Sequence, residues 1–275
     1  MWKLGNRHLI GKSHVESGIE NQDKCFVFEK DNAAIFIVSD GAGSARYGAQ
    51  GAAAIVDQVS KEISNLEIKL FDDFADTISQ IENAVKLAIT KIHEQILQGV
   101  HKPKKAKLLR ILGSIFGKEK NSEEKLDNYS ATLLVAVISD KNFWLGHIGD
   151  GYMVGGKLSK KNKFTQTICS VPENGEYENQ TYFYTDKNWQ EHLRMSSGKQ
   201  KLDFFVSMTD GADPFLISSD RLNLDTNIVH KISELAFARR EMSLSEILEK
   251  LFTKEKIHSV SNDDTTFCML IRDKE

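Results

Sequence analysis

Three runs in this chain end an apolar stretch on an aspartate followed by glycine: Val38-Ser39-Asp40-Gly41, His147-Ile148-Gly149-Asp150-Gly151 and Met208-Thr209-Asp210-Gly211. A fourth acidic pair, Asp263-Asp264, stands just before the apolar run 266–271. Short apolar runs of this kind read as buried strands, so each aspartate is expected at a strand end, held rigidly at a sheet edge. The glycine that follows has no side chain and lets backbone or ligand come close. Antiparallel pairing sets the beginning of one strand beside the ends of its neighbours, so all four acidic sources can converge. Clustered carboxylates repel one another unless cations neutralise them, and convergence would itself imply bound metal. Oxygen ligands without His or Cys partners suit Mn²⁺ or Mg²⁺ rather than Zn²⁺. Two such ions can activate a water and stabilise a phosphoryl group under in-line attack, which predicts hydrolysis without a covalent intermediate. Taken singly, each Asp-Gly pair reads as turn chemistry; their number and common placement point to a metal centre.

The elements that must position these residues are legible as periodicity. Strands are predicted at 25–29 and 33–39, the second apolar nearly throughout and so buried on both faces. Apolar residues at helical spacing, among them Ala52, Ile55, Val59 and Ile63, predict a helix over 48–66, and a longer one runs from Phe71 to Ile96 with Asp72 and Asp73 at its positive end. Strands resume at 132–138 and 143–148, with short candidates at 152–154, 164–168 and 181–184, and a buried strand at 204–208. Asp213 and Pro214 predict an N-cap and first helical position. Helices follow at 227–237 and 243–252, the latter with a capping box of Ser243 and Glu246. Strands in groups and helices in pairs predict an α+β fold, one domain over 1–275, with helices packed on largely antiparallel sheets. The basic stretch 101–127 reads as an insertion or connector.

The chain has 275 residues, 40% of them hydrophobic and 27% charged, with a net charge of −3. That balance gives no global attraction to nucleic acid or to an anionic membrane. Cys25, Cys169 and Cys268 are far apart and lack metal-binding or disulfide-framework spacing. Cys25 also lacks the phosphate-cradling loop and arginine that a tyrosine phosphatase nucleophile needs. The longest apolar run, 131–138, is too short to span a bilayer. The expectation is a cytoplasmic protein without nucleic acid or stable membrane association.

In order along the chain, Asn21-Gln22-Asp23, Ser39-Asp40-Gly41-Ala42-Gly43, Tyr129-Ser130-Ala131-Thr132-Leu133, Gly149-Asp150-Gly151, Thr209-Asp210-Gly211 and Asp263-Asp264-Thr265-Thr266 resemble the acidic motifs of the PP2C-type, metal-dependent serine/threonine protein phosphatases, in particular a divergent bacterial branch. The resemblance implies an α-β-β-α sandwich, two packed antiparallel sheets flanked by helices. It implies that Asp40 bridges two metals, that the Gly41 carbonyl joins one of them, that Asp210 and Asp263 complete the pair, and that Asp150 with Asp210 forms a third, weaker site. Asp23 would orient the attacking water, making Asp23, Asp40, Asp210 and Asp263 the catalytic set, with Gln22 and Asp264 supporting the ligands. The segment 170–200, including 173–185, falls where the family has a variable flap. The implied activity is hydrolysis of phosphoserine or phosphothreonine on proteins, opposite a cognate Ser/Thr kinase.

Three positions depart from the pattern. Gly18 stands where many members carry a phosphate-binding arginine, which leaves His14 and Arg46, with Lys12 and Lys24, as candidates. Ala42 stands where eukaryotic members often have a histidine proposed as general acid, and Gln22 replaces an acidic residue. These departures keep two alternatives open: a catalytically weak phosphoprotein-binding module, and a metal-dependent phosphatase for small phosphate esters. His147, Trp144, Trp189 and Phe143 read as packing residues.

Overall fold

A computed structural model describes residues 2–68, 74–99, 125–161, 163–173 and 181–272. The basic stretch 101–127 lies outside them but for residues 125–127, as do the expected helix start at Phe71 and the flap residues 174–180. The described strands are β1 (Trp2–Leu9), β2 (Lys24–Lys30), β3 (Ala33–Ser39), β4 (Leu133–Ile138), β5 (Phe143–Ile148), β6 (Tyr152–Leu158), β7 (Phe164–Ser170), β8 (Arg194–Gly198), β9 (Phe204–Met208) and β10 (Thr265–Arg272). They form two five-stranded sheets, ordered β1-β10-β9-β6-β7 and β2-β3-β4-β5-β8, with every neighbouring pair antiparallel.

The period-2 geometry of β3 explains why its sequence is apolar throughout. Ala34, Phe36 and Val38 face the other sheet and pack with Phe205, Met153, Cys268 and Leu270. Ala33, Ile35 and Ile37 face outward, under helices α2 (Gly48–Ser64) and α3 (Phe74–Leu97). Phe36 and Phe205 meet across the seam with ring centroids 5.2 Å apart. Helices α6 (Thr226–Ala238), α7 (Leu244–Leu251) and α8 (Lys254–His258) cover the far side of the β1-containing sheet. The result is the expected α-β-β-α sandwich. Among the described residues no helix is long and apolar enough to cross a membrane.

Several elements differ from the sequence expectation. β1 and β8 were not anticipated; they are edge strands, half-buried or exposed, and carry no apolar alternation to announce them. Residues 181–184 do not form a strand: they enter a turn in which Asp186 accepts the Phe183 N–H at 2.8 Å. Asp213 is the first residue of α5 (Asp213–Leu216) rather than its cap, because a 3₁₀ turn over Asp210–Ala212 already bends the chain. The short helices α1 (Lys12–Ser17) and α4 (Trp189–His192) were also unforeseen. Trp144 and Trp189 pack in the core beneath α2 and α3, as expected. His147 is a buried, hydrogen-bonded histidine, with Nδ1 2.7 Å from the Ser170 hydroxyl.

Candidate metal centre

The antiparallel registers bring all the acidic motifs to one end of the sandwich. In one sheet Asp23 precedes β2, Asp40 follows β3 and Asp150 follows β5; in the other Asp210 follows β9 and Asp263 precedes β10. Phe267 pairs with Met208, so β10 begins opposite the end of β9, the convergence that antiparallel pairing predicts. Backbone bonds lock these ends: Thr209 N–H to Thr266 O at 3.0 Å, Gly41 N–H to Gln22 O at 3.2 Å, and Thr132 N–H to Asp40 O at 2.8 Å. The Thr132 hydroxyl accepts the Asp40 N–H at 2.9 Å, so one threonine clasps both backbone groups of the central aspartate.

The glycines of the motifs serve this closure. A Cβ on Gly211 would lie 1.9 Å from the Asp264 carbonyl oxygen, one on Gly41 2.3 Å from the Gly48 carbonyl carbon, and one on Gly151 2.5 Å from the Met208 carbonyl oxygen. The close approach they permit is therefore between protein backbones.

Electrostatically the centre is a set of like charges, with Asp23 buried, Asp40, Asp150 and Asp210 half-buried and Asp263 exposed at the rim. Burial pushes the Asp40 carboxyl well above the usual range, reinforced by Asp23, Asp210, Asp150 and Asp263. Burial likewise raises Asp23 well above the carboxylate range, with the charge of Asp264 adding and hydroxyl bonds from Thr266 and Thr209 opposing. Asp210 is pushed up to about 6, by burial first and then by Asp150 and Asp263.

Asp23 Oδ2 accepts the Thr209 hydroxyl at 2.9 Å, while its Oδ1 and Asp210 Oδ1 are buried without a partner. Orphaned buried carboxylate oxygens in an all-oxygen donor set fit a hard divalent cation such as Mn²⁺ or Mg²⁺. As the side chains stand, no three His, Cys, Asp or Glu among the described residues are arranged to hold one ion.

The supporting residues are fixed by long-range contacts. Asp264 is buried, its Oδ1 accepting the Gly11 N–H and its Oδ2 the Gln22 N–H, each at 2.6 Å, with His14 Nδ1 3.0 Å from Oδ2. Asp150 Oδ2 accepts the Thr181 hydroxyl at 2.5 Å. The other phosphate-binding candidates are occupied elsewhere: Arg46 lies over the Tyr47 ring, Lys24 donates to the Asn21 carbonyl, and Lys12 pairs with Glu16. Gly18 ends α1 in the left-handed conformation with φ 66°, a geometry that disfavours the arginine of the pattern.

Residue-by-residue reading of the motifs assigned no role to Thr132 or Thr209, although both lie inside the quoted runs, and read Asp213 only as a cap. Asp213 has an Oδ1 buried without a partner, and burial followed by the nearby Asp210 pushes its carboxyl up to about 8.

The family model described as protein phosphatase 2C matches residues 10–252, a span that ends before Asp263. The chain is 23% identical, over an alignment of 290 residues covering 98% of each chain, to serine/threonine-protein phosphatase 3 of Escherichia coli (strain K12). It is 24% identical to serine/threonine phosphatase stp of Listeria welshimeri, covering 91% of this chain and 89% of that one. The serine/threonine phosphatase of S. agalactiae superposes with a TM-score of 0.63 at 13% identity, over 99% of this chain and 100% of that one. The catalytic domain of PstP, solved in complex with two manganese ions, gives 0.61 at 13% identity over 99% of each chain.

Proposed function

The chain belongs to the protein phosphatase 2C family, and from that footing we propose that it is a metal-dependent enzyme hydrolysing phosphoserine and phosphothreonine on proteins. The observation that carries the reading is the convergence of Asp23, Asp40, Asp150, Asp210 and Asp263 at one end of the sandwich, with buried carboxylate oxygens left unpaired. Asp40, the Gly41 carbonyl, Asp210 and Asp263 would hold two Mn²⁺ or Mg²⁺ ions, and Asp150 with Asp210 a third. When bound, these ions supply Lewis acidity, lowering the pKa of water and neutralising phosphoryl oxygens.

The protein's own groups do the rest. Thr209 holds Asp23 by one oxygen and leaves the other buried without a partner, available to orient the attacking water. Asp264, bonded to Gly11 and Gln22, fixes the loop that carries Asp23 against the start of β10. Partial burial of the cluster strengthens the charge interactions within it. Thr181 ties the end of the flap segment to Asp150, where a phosphoprotein would approach.

The test is release of phosphate from a phosphothreonine peptide, with and without Mn²⁺, for the wild type and for Asp210→Asn. Metal-dependent turnover that the substitution abolishes supports the reading. No turnover from a wild-type protein that binds Mn²⁺ would overturn it in favour of a phosphoprotein-binding module.

A further inference from the structure

Cys25 and Cys268 stand near opposite ends of the chain, and the fold brings them to one place. Cys25 lies on β2 and Cys268 on β10, strands of different sheets, and both side chains pack in the apolar layer where the sheets meet. There the Cys268 thiol hydrogen-bonds to the Cys25 sulfur. The two sulfurs are not alike. Cys268 is fully buried, and the bond to Cys25, then burial, push its thiol well above the usual range. Cys25 is half-buried and accepts a second bond, from the Asn6 amide at 3.4 Å. That amide is itself held in place, its oxygen accepting the Ser245 hydroxyl at 3.2 Å. The donors Cys268 and Asn6, with the charge of Lys24, bring the Cys25 thiol down to about 7 against the burial that opposes them. A thiol so placed yields the thiolate, the form that oxidants attack, with a second thiol in contact to resolve the product. The pair also lies just beneath the acidic centre. Cys25 follows Asp23 by two positions and is in register with Val38, which precedes Asp40 by two; Cys268 is in register with Ser207, which precedes Asp210 by three.

We propose that Cys25 and Cys268 form a peroxide-responsive modification site, in which a reversible disulfide across the seam lowers the turnover of the centre above it; the cross-link stands on the geometry, while its effect on turnover rests on the phosphatase reading. The Cys25 thiolate attacks one oxygen of hydrogen peroxide. The O–O bond breaks, the departing hydroxide takes up the proton that Cys25 had released, and Cys25 is left as a sulfenic acid, oxidised by two electrons. The Cys268 sulfur then attacks the Cys25 sulfur, the S–O bond breaks, and the hydroxide leaves as water with the Cys268 proton. Two thiols and one peroxide thus give one disulfide and two waters, and an external dithiol reverses the step by returning two electrons. Facing sheets pack about 10 Å apart, whereas a disulfide holds its Cα atoms within about 6.8 Å. The link therefore draws β2 and β10 together at this row and displaces Asp23 and the strand ends beside it. Misplacement by about 1 Å can cost a reaction about 10²-fold.

The experiment treats the protein with hydrogen peroxide in EDTA, removes both, and assays release of phosphate from a phosphothreonine peptide with added Mn²⁺, so that oxidation of a bound metal plays no part. Mass spectrometry of unreduced peptides is expected to show Cys25 joined to Cys268, with turnover down about 10-fold and recovered on adding dithiothreitol. Cys25→Ser leaves an acceptor for the Asn6 amide, and Cys268→Ala is the second variant, should the first fold poorly. Both are expected to keep the untreated turnover and to lose the cross-link and the sensitivity to peroxide. Absence of the cross-linked peptide from the treated wild type, inactivation that persists in the variants, or a cross-link that leaves turnover unchanged would each overturn the proposal while leaving the phosphatase reading intact. Untreated protein inert on the peptide would overturn the phosphatase reading and with it the control of turnover, and the mass spectrum alone would then decide the cross-link.

Discussion

Asp40 is surrounded by carboxylates of its own sign, so in the absence of cations it opposes folding, and on the proposed reading bound cations would reverse that. Asp40→Asn should therefore split two properties that usually move together. Turnover should fall by about 10²-fold or more, as expected when a group that positions transition-state charge is lost. The melting temperature of the metal-free protein should rise, because one buried like charge has gone; scanning calorimetry in EDTA reads this directly, and an unchanged or lower value would count against the assignment. The same repulsion sets the pH dependence of the metal-free state. Asp210 titrates near 6 in the folded chain against a reference value of 3.8, so the folded state binds more protons across that window. Stability in EDTA should accordingly be highest below about pH 4 and decline as pH rises through about 6, judged on this group alone. Saturating Mn²⁺ should remove that decline.

These aspartates were legible in the sequence because strand, Asp and Gly are contiguous. Thr132 on Asp40, Thr209 on Asp23 and Asp264 on Gly11 were not, because their partners lie 92, 186 and 253 residues away. Nothing local distinguishes such a threonine from any other.

At the scale of elements, the glycine after each aspartate is a packing device as much as a hinge. Gly211→Ala would drive a methyl into the Asp264 carbonyl, and that backbone cannot yield without moving the start of β10. The expected outcome is weaker Mn²⁺ binding by calorimetry, together with a loss of stability of about 2 kcal/mol, a typical overpacking cost. Wild-type affinity in that variant would mean that the position of β10 does not govern the centre. The helical capping box shows the opposite situation, in which local sequence suffices. Ser243 and Glu246 bond reciprocally at the start of α7, as read from four residues. Buried strands were equally readable, since both faces of β3 and β4 must be apolar to fill a sandwich. The strands β1 and β8 escaped because their side chains are mostly half-buried or exposed and carry no apolar alternation. The residues 181–184 carry strand-like side chains but are held in a turn by Asp186, a tertiary override of propensity.

Considered whole, the molecule places half of the centre on each sheet, so the site exists only when the sheets are docked. Cations binding there should act as a clip across the seam. Mn²⁺ at a hundred times its dissociation constant should add about 2.7 kcal/mol, which for a chain of this size is a rise in melting temperature of about 5–10 °C. Phe205 is the complementary apolar clip, packed at a tilt against Phe36 from the facing sheet. Phe205→Ala should cost about 3–5 kcal/mol as a core truncation. It should also weaken Mn²⁺ binding although it touches no aspartate; unchanged affinity in the folded variant would show that the two halves are positioned independently of the seam.

The pairing of β1 with β10 runs the full length of both strands, from Trp2 with Arg272 to Leu9 with Thr265. During synthesis on the ribosome β1 emerges first and β10 last of all the described strands, so the earliest strand must wait unpaired while the intervening chain is made. The β2–β5 layer, whose partners are close in sequence, can assemble in the meantime. Asp263 emerges just ahead of β10, so the carboxylate cluster can be assembled only after the last of the described strands has been made.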